Sequence, residues 1–366
     1  MREYIKLCDV CDFQGGSQPP KNEWSFDLKD GYIRMLQIRD FTQSERVAPE
    51  YIKITKATKI CEVDDILIAR YGASLGKVLT GLAGAYNVAI MKTIPDTNVL
   101  EKKYLYYYLK SPIFQGFLLN VGSRAAQAGF NKNDLQDLLI PNITRNEQVE
   151  IVGTLERVET VIEARQKLDD LIKARFVEMF GDPEENPFNW EKTLLTKVII
   201  NANNGMARRG NDKDGNIVMR LVELQDGYID YSNPNRIILK DNEKKRYLLK
   251  DKDFLFARVN GNPDNVGRCA VFHDIGEDVY HNDHIIRVHF DEELLNGTFA
   301  SALFNSDYGK KQLKSQIKTS AGQYTVSQDG IGAIATILPP AKLQNQFADF
   351  VHQVDKSKYD DMYIRY

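Results

Sequence analysis

The feature that most constrains the fold of this chain is an internal repeat, because short motifs of its first half recur in the same order in its second half. Residues 34–40, RMLQIRD, recur as residues 220–226, RLVELQD. Residues 64–70, DDILIAR, recur as residues 252–258, KDFLFAR, and a glycine-containing loop follows each. Motifs that keep their order while their separation drifts slowly indicate two copies of one domain with loop insertions.

A third match lies where each copy ends. It pairs Phe130, Leu135, Leu138, Pro141 and Gln148 with Val326, Ile331, Ile334, Pro339 and Gln346, in that order. A chain of 366 residues is long enough for two domains, each with its own hydrophobic core. We therefore predict two tandem domains of the same fold.

Within each copy the pattern indicates short strands separated by glycine, followed by a helix. Strands are predicted over 66–69, 78–82 and 89–93 in the first copy and over 217–224 and 285–290 in the second. Helices are predicted over about 102–119 and 292–317. The predicted fold class is α+β, with two tandem mixed α/β domains.

Between the copies the sequence predicts one long helix from Thr144 to Gly181. Thr144 and Glu147 form a capping-box pattern, and no proline occurs between Pro141 and Pro183. A helix of about 36 residues is roughly 54 Å long. Its apolar residues are spaced for packing against another helix, and they include Ile151, Leu155, Val158, Ile162, Ile172 and Phe176.

A second helix is predicted after Pro339-Pro340, with Phe347, Phe350 and Val354 at helical spacing. We predict that the two helices form an antiparallel coiled-coil spacer between the domains, with pseudo-twofold symmetry. The predicted boundaries are 1–143 for the first domain, 144–181 for the central helix, 182–340 for the second domain and 341–366 for the C-terminal helix.

Composition favours a cytoplasmic protein. No apolar run approaches the roughly 20 residues that cross a bilayer, and the first residues lack the apolar stretch of a secretion signal. The four cysteines, Cys8, Cys11, Cys61 and Cys269, are too few and too uneven for a disulfide framework, so we expect reduced thiols.

The chain resembles the specificity subunit of type I restriction-modification systems over nearly its whole length. The resemblance is carried by the domain openings and by the junctions between domains and helices, at residues 7–10, 66–70, 141–152, 174–183, 254–258 and 337–346. It implies two target recognition domains, each of which reads one half of a bipartite double-stranded DNA sequence. Two readers that meet the same face of a duplex lie one helical turn, roughly 34 Å, or a multiple of it apart.

The resemblance also implies that this prokaryotic chain is not an enzyme but directs partner subunits. The implied partners are a pair of methyltransferase subunits, which methylate adenine, and restriction/translocase subunits. S-adenosylmethionine, ATP and Mg would belong to those partners, with no cofactor in this chain. The family's second helix usually continues beyond 26 residues, so this chain is expected to be a short form, a truncated product or a fragment. Self-association through the short helix could compensate.

DNA contacts are expected in polar loops, because the many acids of the helices can mask basic loops elsewhere within a net charge of −3. Glycine permits close approach to a backbone, Arg and Lys suit phosphate or guanine, and Asn and Gln can pair with adenine. The candidates are Gln18, Lys21, Arg70, Tyr71, Arg124, Gln127, Asn131, Lys132, Arg208, Arg209, Arg258, Asn260, Asn262, Arg268, Lys318, Gln323 and Tyr324. For Arg70 and Arg258, the alternative is a structural role with a buried carboxylate.

Other functions have weaker support. No methyltransferase or nucleotide-binding motif is recognisable, since 186–190, NPFNW, lacks a second proline and 72–76, GASLG, lacks the required glycine spacing. Cys8 and Cys11 have no second pair at zinc-finger spacing, and the group Cys269, His273, His281 and His284 has no counterpart in the first copy, so no metal site is predicted. The remaining alternative is a two-domain helical adaptor that binds proteins rather than DNA.

Overall fold

The computed structural model describes residues 3–43, 46–122, 129–320 and 322–363. The chain divides into two compact units, Met1–Thr160 and Val161–Tyr366, and the boundary falls inside a long helix. Each unit mixes helices with small sheets, which confirms the predicted α+β class.

The first unit contains the elements of the first copy. They are β1 (Tyr4–Lys6), α1 (Leu7–Val10), β2 (Cys11–Gly15), β3 (Tyr32–Leu36), α2 (Ile38–Thr42), β4 (Tyr51–Lys53), β5 (Ile60–Cys61), β6 (Leu67–Ala69), β7 (Val78–Leu79), β8 (Gly84–Tyr86), β9 (Ile90–Pro95), α3 (Lys102–Lys110), α4 (Pro112–Gly122), β10 (Leu139–Pro141) and the first part of α5 (Arg145–Phe180). Two four-stranded sheets have the orders β2-β9-β6-β7 and β4-β3-β8-β5, and β1 pairs with β10.

The second unit contains the rest of α5 and the elements of the second copy. They are β11 (Glu191–Leu194), β12 (Ile199–Asn204), β13 (Asn216–Met219), β14 (Arg236–Ile237), α6 (Asp241–Tyr247), β15 (Phe254–Ala257), β16 (Val259–Asn260), β17 (Cys269–Val271), β18 (Val279–His281), β19 (Ile285–Phe290), α7 (Gly297–Asn305), α8 (Asp307–Ser315), β20 (Lys318–Ser320), β21 (Gln323–Thr325), α9 (Gln328–Gly332), β22 (Ala335–Leu338) and α10 (Ala341–Tyr363). The sheet orders are β12-β19-β15-β17, β14-β13-β18, β16-β21-β20 and β11-β22.

Main-chain hydrogen bonds confirm that the two units are copies of one fold. In each copy the arginine of the Ala-Arg pair forms the same two main-chain hydrogen bonds, one through its N–H and one through its carbonyl. Arg70 donates to the Ala89 carbonyl at 2.8 Å and accepts from the Phe130 N–H at 3.3 Å, while Arg258 donates to the His284 carbonyl at 2.7 Å and accepts from the Val326 N–H at 2.9 Å. The match of residues 64–70 with 252–258 is therefore in register.

The match of residues 34–40 with 220–226 is three residues out of register. The Asp40 carboxylate accepts the Gln37 N–H at 2.9 Å. In the second copy the Glu223 carboxylate accepts the Arg220 N–H at 2.7 Å in the same position. The counterpart of Asp40 is thus Glu223 and not Asp226, because the acid that caps this turn comes earlier in the second copy.

The third match is right at its start and wrong at its end. The Leu138 carbonyl accepts from the Leu7 N–H at 2.8 Å, and the Ile334 carbonyl accepts from the Leu195 N–H at 2.9 Å. From there the strands pair Tyr4 with Pro141 in the first copy and Lys192 with Ile337 in the second. The structural counterpart of Pro141 is therefore Ile337, and its match with Pro339 was wrong.

The pairing of Gln148 with Gln346 was also wrong, by two residues, because the structural counterpart of Gln148 is Gln344. Both are buried at the start of a long helix, whereas Gln346 is exposed. Each bonds three main-chain groups and thereby ties its helix to the preceding domain. Gln148 Nε2 donates to the carbonyls of Val99 at 2.9 Å and Ile143 at 3.0 Å, and its Oε1 accepts from the Glu101 N–H at 2.7 Å. In the same way, Gln344 Nε2 donates to the carbonyls of Leu294 at 2.9 Å and Pro339 at 2.7 Å, and its Oε1 accepts from the Asn296 N–H at 2.9 Å.

The helices predicted over about 102–119 and 292–317 are each two helices in the structure. The first breaks between α3 and α4 at Ser111, because Pro112 disfavours a helical conformation in the residue before it. The second breaks between α7 and α8 at Ser306, whose hydroxyl caps the new helix by accepting the Gly309 N–H at 3.3 Å. The strand predicted over 217–224 is shorter and ends at Met219.

The predicted long helix is confirmed as α5, and its capping box is present. The Thr144 N–H donates to the Glu147 carboxylate at 2.7 Å, and the Glu147 N–H donates to the Thr144 hydroxyl at 3.3 Å. In the second unit the C-terminal end of α5 packs with α7 and α10 through aromatic rings. The Phe180 and Phe299 centroids are 4.7 Å apart and those of Phe180 and Phe347 are 5.5 Å apart, and all three side chains are fully buried.

Candidate nucleic-acid interface

The corner that follows β6 in the first copy and β15 in the second is built in the same way. The Arg70 guanidinium donates to the carbonyls of Phe130 at 3.1 Å and Val88 at 3.2 Å. The Arg258 guanidinium donates to the carbonyl of Asp283 at 3.1 Å. A structural role for these arginines was predicted through a buried carboxylate, but the partners are main-chain carbonyls. Both arginines are half-buried at this corner.

A glycine in each copy brings a polar loop against the central strands. A Cβ at Gly16 would lie 2.1 Å from the Asn87 carbonyl oxygen, and one at Gly205 would lie 2.3 Å from the Asn282 carbonyl oxygen. Only glycine permits this approach. The candidate loops that follow are therefore equivalent: Gln18 and Lys21 follow Gly16, and Arg208 and Arg209 follow Gly205.

Most of the cations in these loops have a carboxylate partner. Lys21 bonds the Glu50 carboxylate at 3.0 Å and lies 3.5 Å from the ring centroid of Trp24. Arg208 forms a two-pronged pair with Glu243, at 3.0 Å and 2.7 Å, which lowers the pKa of that carboxyl to about 2. Such bidentate pairs fix the guanidinium in one orientation and compensate its charge.

Arg209 completes this group by donating to Asp283 at 2.6 Å. Arg208, Arg209 and Arg220 line a surface cleft together with Asn235 and Asn282. Guanidinium and amide groups on one wall are the groups that read base edges or phosphates. Gln18 is exposed in the first copy, and no hydrogen bond fixes its side chain within the described residues.

The glycine-rich loop of the first copy lies partly outside the described residues, and this includes Arg124 and Gln127. At its end Gly129 pairs with Tyr71, which is 40% exposed. Asn131 caps a single helical turn by accepting the Asn133 N–H at 2.8 Å. Lys132 forms an ion pair with Asp12.

The matching loop of the second copy is a small sheet, β16-β21-β20, beside the Arg258 corner. Tyr324 is paired with Asn260 across β21 and β16. Lys318 on β20 and Gln323 on β21 are exposed, and Lys318 has no ion-pair partner in the described part of the chain. Asn262 caps the turn at 263–265 by accepting the Asp264 N–H at 3.0 Å.

Arg268 lies elsewhere in the second copy, where its guanidinium is 3.5 Å from the Asp226 carboxylate and 3.3 Å from the Gln225 amide oxygen. The histidines near it have separate surroundings. His273 lies 3.6 Å from Asp251, and His281 is fully buried with Nδ1 3.1 Å from the Tyr247 carbonyl oxygen. In the described ranges, no three His, Cys, Asp or Glu side chains are grouped as a metal site would require.

The residues predicted for helix packing divide into two sets. Ile151, Val158 and Ile162 in the first half of α5 are 36%, 50% and 60% exposed, whereas the others are covered. The covered set comprises the buried Phe176, Phe347 and Val354 and the half-buried Leu155, Ile172 and Phe350. Among the described residues, no helix combines the length and apolar character that crossing a membrane requires.

Two basic segments were not among the DNA-contact candidates predicted from the sequence, because they lack the combination of glycine with arginine and glutamine by which those loops were chosen. In the first copy Lys53 ends β4 and Lys56 and Lys59 follow it, and in the second copy Lys244 and Lys245 lie on α6. The signal was present as a run of basic residues at the same place in each copy. It becomes visible only once the register of the repeat is corrected.

Comparison with known proteins identifies proteins of similar sequence and fold. The sequence model of the type I restriction modification DNA specificity domain matches residues 2–174. The type I restriction enzyme StySPI specificity subunit of Salmonella potsdam is 22% identical over 89% of this chain and 76% of its own length. The MjaVIII specificity subunit of Methanocaldococcus jannaschii is 22% identical over 96% of this chain and 86% of its own length.

The fold has a solved counterpart. The S subunit of the type I restriction-modification system from M. genitalium matches with a TM-score of 0.56 and 16% identity, over 98% of this chain and 90% of that one. The resemblance that the junction motifs predicted is thereby confirmed. Residues 2–174 therefore match the type I restriction modification DNA specificity domain, and the chain is similar over most of its length to type I restriction-modification specificity subunits.

Proposed function

We propose that this chain is the sequence-specific DNA-recognition subunit of a type I restriction-modification complex, and that each of its two copies reads one half of a bipartite target. The observation that carries the proposal is the repeat itself. Two copies with the same main-chain hydrogen bonds hold different side chains on equivalent polar loops, such as Gln18 and Lys21 against Arg208 and Arg209. One scaffold with two sets of readers suits a target with two different halves.

The polar groups of the loops support this function. Asn and Gln amides pair bidentately with adenine and arginine guanidinium groups with guanine, while exposed lysines contact phosphate. The cleft of Arg208, Arg209 and Arg220 offers such groups from a fixed scaffold, because each guanidinium is already oriented by a carboxylate. Fixed donors recognise a base edge with little loss of side-chain entropy.

The subunit performs no bond-making step. It brings partner subunits to their site, where a pair of methyltransferase subunits methylates adenine and restriction/translocase subunits cleave. S-adenosylmethionine, ATP and Mg belong to those partners in this proposal. The exposed apolar residues along α5 suit a partner surface, and the complex works on DNA in the prokaryotic cytoplasm.

The test is to co-express the chain with its neighbouring methyltransferase, purify the assembly and map adenine methylation on a plasmid by single-molecule sequencing. A split motif with a fixed gap is expected. If the purified assembly binds and methylates DNA without sequence preference, the recognition role is wrong. If the chain does not associate with the methyltransferase and does not bind DNA, the adaptor alternative replaces it.

A further inference from the structure

The two basic segments occupy the same connection in each copy. We define them as basic connection 1, residues 53–59, and basic connection 2, residues 238–247. Each starts directly after an equivalent residue pair, that of Ile33 with Ile52 in the first copy and that of Asn216 with Ile237 in the second. Lys53, the first residue of basic connection 1, is still paired with Tyr32 at the end of β4. Each ends where the chain pairs with a central strand, β8 or β18.

The strand pairing shows that these connections are equivalent. Ile60 pairs antiparallel with Ala85 on β8. Leu248 pairs antiparallel with Tyr280 on β18. β8 and β18 are themselves parallel partners of β3 and β13, so the two copies share one topology at this edge. The sequences KITKATK and ILKDNEKKRY have diverged, but both are basic.

Both connections carry uncompensated positive charge. Basic connection 1 contains three lysines and no acid, and basic connection 2 contains four cations and two acids, one of which is taken by Arg208. Most other cations near the candidate loops are paired, as Lys21 is with Glu50. In the described part of the chain no ion pair is formed by Lys53, Lys56, Lys59, Lys240, Lys244, Lys245 or Arg246.

Each connection adjoins the polar loop that follows the close-approach glycine. In the first copy the Lys59 N–H donates to the Ser17 hydroxyl at 3.3 Å, next to Gln18. In the second copy Glu243 of basic connection 2 holds Arg208 at 2.7 Å. Each basic connection therefore lies beside the candidate reading groups of its unit.

We infer that basic connections 1 and 2 bind the phosphate backbone of the DNA and position each copy over its half of the target. The inference rests on the proposed function and adds the residues that supply sequence-independent affinity. Five of the seven cations are exposed, whereas Lys59 and Lys244 are half-buried. Flexible lysines act as point charges for phosphate and lack the fixed geometry of base readout.

The expected effect follows from counterion release. Each phosphate neutralised by a cation contributes about 0.9 to the slope of log affinity against log salt concentration. Replacing Lys53, Lys56 and Lys59 by alanine should lower the magnitude of this slope by about 2.7 if all three contact phosphate. Lys244→Ala with Lys245→Ala should lower it by about 1.8. Discrimination between target and non-target DNA should stay unchanged, because phosphate contacts carry no sequence information.

The experiment measures affinity of the assembled methyltransferase complex for target and non-target duplexes over a series of salt concentrations. The matched control is Lys192→Ala with Lys197→Ala, which removes two exposed lysines of the second unit that lie outside the basic connections. The inference predicts a lower slope for the basic-connection variants and an unchanged slope for the control.

Two outcomes overturn the inference. One is a wild-type slope in the basic-connection variants, and the other is an equal decrease in the control, which would indicate a general charge effect. Failure of the proposed function is recognised separately, because the wild-type complex itself would then not distinguish target from non-target DNA. Circular dichroism of each variant verifies that these surface substitutions leave the fold intact.

Discussion

Replacing Gln344 by leucine should destabilise the second unit, because its side chain satisfies three main-chain groups in a buried position. Nε2 donates to the carbonyls of Leu294 and Pro339, and Oε1 accepts from the Asn296 N–H. Leucine fills a similar volume but leaves all three groups without a partner. Each buried unsatisfied group costs about 1–3 kcal/mol, and partial relaxation leaves a total of about 4 kcal/mol.

The matched control is Gln346→Leu, because Gln346 is exposed two residues away on the same helix and should change stability by less than about 0.5 kcal/mol. Thermal unfolding of the full chain should show the transition of the second unit lowered by roughly 10 °C in Gln344→Leu, at 2–4 °C per kcal/mol. Amide exchange at Asn296 supplies a local readout, since its N–H loses its acceptor. Equal stability of the two variants would refute the reasoning, and so would an Asn296 amide that stays protected in Gln344→Leu.

Two further predictions concern the second unit. Phe347→Ala should cost about 3–5 kcal/mol in urea unfolding, because the buried ring contacts Phe176 and Phe180; the half-buried Phe350→Ala should cost less, and equal costs would contradict the assigned packing. Burial lowers the pKa of His281 to about 4. Because its pKa in the unfolded chain is about 6.5, neutral His281 contributes stability above that pH, and about 3 kcal/mol should be lost as the pH falls from 6.5 to 4. His281→Gln should flatten this dependence in urea unfolding at several pH values, and an unchanged dependence would show that other groups cause it.

The sequence was sufficient to predict features that arise from local patterns. The capping box at Thr144 and the termini of α5 depend on neighbouring residues, so they were found as predicted. The break at Ser111 could also have been found, because Pro112 was visible. The match at residues 34–40 went out of register because Asp226 repeats the residue type of Asp40, whereas the true counterpart is Glu223. The match at Gln148 did so because Gln346 follows Pro339 by seven residues, as Gln148 follows Pro141.

Compensation of charge could not be predicted, because ion-pair partners lie far apart along the chain. Lys132 and Asp12 are 120 residues apart, and Arg208 and Glu243 are 35 apart. Only the fold shows which cations are held by carboxylates and which remain free. For the same reason the basic connections were not among the sequence candidates, although their lysines are plain in the sequence.

The central claim is that the two copies are equivalent scaffolds, each of which reads its own half of the target. The most direct test replaces the interior of the first copy, between Gly16 and Phe130, by the interior of the second, between Gly205 and Val326, since these residues are structural counterparts. Adenine methylation by the folded chimera in complex with its methyltransferase is then mapped. If the copies are equivalent, the chimera methylates a target whose two halves carry the same bases, both those of the original second half. A target whose halves stay different, as in the wild type, would contradict the claim.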